Sequence, residues 1–127
     1  MNNDNYKIQT FTDLVAWKEG HKLVLFIYKI TDKFPQKELY ALTSQIRRAA
    51  VSITSNIAEG FSRNSYKEKI QFFYVALGSL TELQNQLIIA KDIDYIDNVA
   101  FDKLSDSTIT VSKLINGLIK SLKNHNT

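Results

Sequence analysis

Cysteine is absent from the 127 residues, so the chain has no disulfide framework, no thiol nucleophile and no cysteine-built zinc site. Proline occurs once and glycine four times, which is too little punctuation for a β-rich fold with many turns and favours long helices. Apolar runs are short. The stretch from Leu23 to Ile27 falls far below the length needed to span a bilayer. Residues 1–7 are polar and lack the apolar segment of a secretory signal. No membrane association and a cytoplasmic location are therefore the expectation. No Gly-rich phosphate loop, nucleophile elbow or His-rich metal motif occurs, so neither a cofactor nor a metal is expected. His125 has no partner at ligand spacing, and the acidic cluster Asp92, Asp94 and Asp97 lacks the glycine and closing glutamate of a calcium loop.

Charge is mild. The formal net charge is +3, which permits contact with nucleic acid without requiring it. Residues 1–91 carry 12 Lys and Arg against 8 Asp and Glu, whereas residues 92–127 carry 4 against 5. One side of the protein is therefore expected to be more basic than the other.

The apolar residues recur at helical spacing in four segments. The first helix is predicted over about residues 13–33, with apolar lines Leu14, Trp17, His21, Val24, Tyr28 and Leu23, Phe26, Ile27, Ile30, Phe34. His21 on such a line reads as a packed histidine. Phe34-Pro35 ends the helix, because a residue before proline avoids the α region. The second helix is expected over about 37–59 along Leu39, Leu42, Ile46, Ala49, Ile53 and Asn56, with Gly60 as a left-handed residue beyond its end. The third, about 65–91, begins with a capping box of Ser65 and Glu68. It has one seam through Tyr66, Ile70, Phe73, Leu77, Leu80, Gln84 and Leu87 and a second through Phe72, Ala76, Ser79, Leu83 and Gln86. The fourth, about 97–122, repeats Phe101, Leu104, Thr108, Val111, Ile115, Leu118 and Leu122. Residues 1–11 and 124–127 are expected as flexible ends. Four long helices with short links predict an all-α, single-domain, antiparallel up-down four-helix bundle. Helices 1–3 each show two apolar lines where a monomeric bundle needs one, which points to an oligomer.

Particular segments carry a resemblance. Trp17 with Tyr28, Phe34-Pro35, Leu42 to Gln45, Arg47-Arg48-Ala49, Ser52-Ile53, Asn56-Ile57-Ala58-Glu59-Gly60, and Gly78-Ser79-Leu80 with Glu82-Leu83 follow in this order. Together they resemble the four-helix bundle family named after proteins encoded in 23S rRNA intervening sequences, over about residues 11–120. The resemblance implies a ring of five chains. It also implies kinship with the accessory protein of diversity-generating retroelements, a basic barrel thought to bind nucleic acid and a reverse transcriptase. Three positions depart from the family pattern: Ala41 where Gly is frequent, Thr54 where Pro is frequent, and Gln84-Asn85 in place of Glu-Thr.

Two residue sets are candidates for function. Arg47, Arg48, Asn56, Glu59, Ser79 and Glu82 read first as a polar network between helices 2 and 3 or between subunits, since buried charges must be paired. Arginines lining a pore or touching phosphate are the functional alternative. Arg63, Lys67 and Lys69 surround Tyr66 at the start of helix 3, as cations and an aromatic would for stacking on bases. The expectation is a non-enzymatic oligomeric module, a homopentamer by resemblance, that contacts RNA or DNA or a nucleic-acid enzyme. The alternative is a structural or protein-interaction ring without nucleic-acid affinity.

Overall fold

In the computed structural model, which describes residues 7–125, four helices wind up and down as a single bundle. They are α1 (Val15–Thr31), α2 (Leu42–Ser62), α3 (Tyr66–Asp92) and α4 (Asn98–His125). Chain neighbours pack side by side, α4 closes the bundle against α1, and the α2–α3 contact is the most extensive. The core is built from Leu23 and Ile27, Ile46, Ile53 and Ile57, Leu80, Leu83 and Leu87, and Leu104, Val111 and Ile115.

Where the helices begin and end differs from expectation for local reasons. Residues 11–13 form a separate 3-10 turn, with the Asp13 carboxylate accepting from the Gln9 and Thr10 amides at 2.9 and 3.0 Å. α1 therefore starts at Val15. Phe11, placed by sequence in a flexible lead, sets its ring edge-on against Trp17 at 5.5 Å. Residues 1–6 and 126–127, also expected to be flexible, lie outside the described residues. Asn124 and His125 are the last residues of α4.

α2 starts five residues later than expected, at Leu42. Gln36–Glu38 coil as a 3-10 turn after Pro35, and Ala41 leaves the helical region. The Glu38 carboxylate then accepts from the Leu42 amide at 3.3 Å and occupies one of the free donors of the new helix. α3 is capped as predicted, with the Ser65 hydroxyl accepting from the Glu68 amide at 3.1 Å. It ends in a paired reversal: Tyr95 N–H donates to Ala90 and Asp94 N–H to Lys91, with Asp94 left-handed at φ 66°.

Gly60 is a correction. It is not a left-handed residue past the end of α2 but a helical one inside it, two positions before the end. Its role is lateral. A Cβ there would stand 2.7 Å from Phe73 Cε1, so the absent side chain is what lets α3 approach.

The doubled apolar lines are largely consumed within the chain. On α3 both seams are buried, Phe73, Leu80 and Leu87 in one and Ala76, Ser79 and Leu83 in the other, because α3 packs on α2 and α4 at once. Among the described residues, the large apolar groups left outside are Ile8, Val15, Leu25 and Tyr28 up to the end of α1, Tyr40 before α2, Val51 on α2, Tyr66, Tyr74, Val75, Ile88 and Ile89 on α3, Ile93 after it, and Val99 and Ile109 on α4.

Candidate functional site

The sequence-predicted polar residues do not converge on one point. Arg47 turns to α1. Its Nε donates to Thr31 Oγ1 at 2.9 Å, its guanidinium lies 4.6 Å over the Tyr28 ring, and Asp32 stands 4.0 Å away. Thr31 in turn donates to the Ile27 carbonyl at 2.7 Å, so Arg47 ties the end of α1 to α2. Asn56 and Ser79 do meet, through Ser52. The Ser52 and Ser79 hydroxyls share a hydrogen bond of 2.8 Å, and Asn56 Nδ2 donates to the Ser52 carbonyl and hydroxyl at 2.8 and 3.1 Å. This is a polar link between α2 and α3. Glu59 pairs with Arg63 one turn later at 2.8 Å, an exposed contact of little net worth. Glu82 accepts from Gln86 at 3.5 Å.

Arg48 remains. It is exposed in the second turn of α2, and among the described residues its side chain makes no hydrogen bond or ion pair. It lies where two open grooves meet. One, of about 600 Å³, runs between α1 and α2 past Tyr28, Tyr40, Val51 and Ser55. The other, of about 560 Å³, runs on the α3 side past Ser44, Ser52 and Glu82. Arg48 and Glu82 line this second groove without bonding. Tyr40, at the mouth of both, is 93% exposed. The furrow thus combines an arginine with no side-chain bond, three serines, the Glu82 carboxylate and a protruding tyrosine.

The second predicted patch is partly spent inside the chain. Lys69 Nζ donates to the Phe61 carbonyl at 2.6 Å and so caps the end of α2, where carbonyls lack partners and the dipole favours a cation. Partial burial there lowers Lys69 below the usual lysine range. Arg63, besides its Glu59 contact, lies 4.6 Å over the Phe72 ring, and its Nε is buried without a partner. Lys67 and Tyr66 stay exposed. His21, for its part, stacks on Trp17 with ring centres 4.7 Å apart.

Two glutamines stand where the seams of helix 3 place them, and one further polar pairing escaped the sequence reading. Gln86 is buried on α3 with Oε1 unpartnered, and Gln84 donates to buried Thr108 across the α3–α4 seam at 3.1 Å. Both stand at core spacing in otherwise apolar lines, as the sequence reading placed them. Tyr95 donates to the Glu38 carboxylate at 2.8 Å, and this bond raises its hydroxyl above the ordinary tyrosine value. Sequence gave no sign of that pairing across 57 positions. Among the described residues no three histidine, aspartate or glutamate side chains gather as metal ligands, and no helix is long and apolar enough to cross a membrane.

A bundle of this kind belongs to the all-α up-down four-helix class. The chain is a member of the 23S rRNA-intervening sequence protein family, whose sequence pattern matches residues 12–117. A solved structure with the same fold is a protein of unknown function from the S23 ribosomal protein family of Bacteroides thetaiotaomicron. The two share 20% identity and superpose with a TM-score of 0.78 over 84% of this chain and 99% of the other. Comparison with curated proteins gives no match.

Proposed function

We propose that the chain is a non-enzymatic, self-associating binding module that assembles through the outer face of α2. The observation that carries this reading is Arg48, unpaired at the junction of two open grooves with Tyr40 projecting beside it. Exposed tyrosine and arginine around a groove are the residues that dominate protein contacts. The doubled apolar lines support it less than the sequence suggested, since α3 buries both of its own within the chain. Five copies is the number that the family resemblance implies. The cytoplasm is the compartment we assign to a chain that uses no cysteine.

Nucleic-acid contact is the second reading. It draws on Lys67 and Tyr66, which remain exposed at the α2–α3 turn, while Lys69 and Arg63 already have partners in the chain. The experiment that separates the readings is solution mass by light scattering, with and without total cellular RNA, at low and moderate salt. Assembly that ignores RNA and is lost in Arg48→Glu supports the interaction module. Salt-sensitive RNA uptake that Lys67→Glu abolishes supports the second reading, since phosphate contacts weaken as salt rises. A monomer at every concentration refutes self-association.

A further inference from the structure

Among the described residues, a projecting side chain on one face has an apolar recess on a different face. Tyr40 stands 93% exposed just before α2. Between α3 and α4 lies a groove of about 220 Å³ whose walls include Leu87, Ile88, Phe101 and Ile109, with Gln84 and Ser105 as polar groups among them. A cavity of about 150 Å³ already takes a benzene ring, so this recess accommodates a phenol ring, and its polar groups offer partners to the hydroxyl.

Charge follows the same division. Tyr40, Ser44 and Arg48 succeed one another at four-residue steps on the projecting side. On the recess side, Asp102 and Asp106 immediately follow Phe101 and Ser105 of the groove wall. Both aspartates are exposed, one helical turn apart, and among the described residues neither side chain makes an ion pair or hydrogen bond. A tyrosine flanked by a free arginine thus has its counterpart in an apolar recess flanked by free carboxylates.

Resting on the self-association reading, we infer that the partner of the Tyr40–Arg48 face is the α3–α4 face of a second copy. The Tyr40 ring enters the recess between Ile88, Phe101 and Ile109, and Arg48 meets Asp102 or Asp106. Because projection and recess occupy different faces, the contact is head-to-tail. Such a contact repeats from copy to copy and closes a ring when the rotation allows it. The aromatic anchor supplies most of the affinity, and the charge pair fixes the register.

The test is light-scattering mass over a range of concentrations, with helicity checked by circular dichroism. The proteins are the wild type, Tyr40→Ser, Arg48→Asp, Asp106→Arg and the R48D/D106R double variant. The expected result is a wild-type mass several times 14.6 kDa. Tyr40→Ser and each single reversal should fall toward the monomer mass, and the double reversal should regain the assembly. If Arg48→Asp loses helicity, Tyr40→Ser and Asp106→Arg decide alone, as they alter exposed positions on the two opposed faces. An assembled wild type whose mass neither of these two variants moves overturns the pairing and leaves self-association standing. A wild type at 14.6 kDa throughout, as expected if another protein or a small apolar molecule fills the recess, overturns both.

Discussion

Replacing Gly60 by alanine should destabilise the fold, against the usual rule for a helix interior. Alanine is normally better than glycine there by about 1 kcal/mol, because glycine loses more backbone freedom on folding. At Gly60 the new methyl would sit 2.7 and 2.9 Å from two atoms of the Phe73 ring and 3.1 Å from Phe72 Cβ. Phe73 is 3% exposed and cannot swing into solvent. Overpacking of this kind costs about 1–3 kcal/mol, and a methyl stopped by a buried ring belongs at the upper end. Subtracting the propensity gain leaves a net loss of about 1–2 kcal/mol. At roughly 4 °C per kcal/mol for a chain of this size, Tm should fall by about 4–8 °C. Thermal melts at one fixed protein concentration measure it, since assembly links Tm to concentration. Gly78→Ala and Gly117→Ala are the controls. A Cβ at either meets nothing within 4 Å, so each should gain up to about 1 kcal/mol. Phe73→Leu in the Gly60→Ala background should recover part of the loss. If Gly60→Ala raises Tm as the controls do, the close α2–α3 approach argued above is wrong.

Other consequences are open to direct measurement. Tyr95, held above its ordinary pKa by the Glu38 carboxylate, favours the folded state while its hydroxyl is protonated. That contribution is complete below pH 10.0 and disappears as pH climbs through the raised folded value. Urea titrations from pH 8 upward should therefore show the wild type losing its advantage over Tyr95→Phe, and parallel curves would contradict the pairing. Ser52→Ala removes the hydroxyl shared by Ser79 and Asn56 and should cost about 0.5–1.5 kcal/mol by the same titration at neutral pH. Lys69→Met uncovers the Phe61 carbonyl at the end of α2. It should raise hydrogen exchange at the last turn of α2 while the centre of α3 stays protected, and uniform exchange would show that the cap is idle.

Much of the bundle was legible because helix period and burial coincide. The α4 repeat holds Leu104, Thr108, Val111 and Ile115 on the core in the predicted order, and the Ser65–Glu68 cap begins α3 as expected. Both signals are local, carried by residues within a few turns of one another. The start of α2 failed for the converse reason. Its apolar rhythm extends back through Leu39, yet the 3-10 turn after Pro35 and the Glu38 cap at Leu42 are settled by the corner they form with Tyr95. The candidate residues were read well as types and less well as partners. Asn56 and Ser79 joined through Ser52, whereas Arg47 went to α1 and Lys69 to the end of α2.

Composition and periodicity by themselves determined a cysteine-free, four-helix, up-down protein, because 3.6-residue spacing decides which side of each helix must leave water. Tertiary structure alone decided which cations are spent and which stay free. Pairing depends on distances between helices that no spacing along the chain encodes. Lys69 and Arg47 found partners across those distances, and Arg48 was left facing outward beside Tyr40.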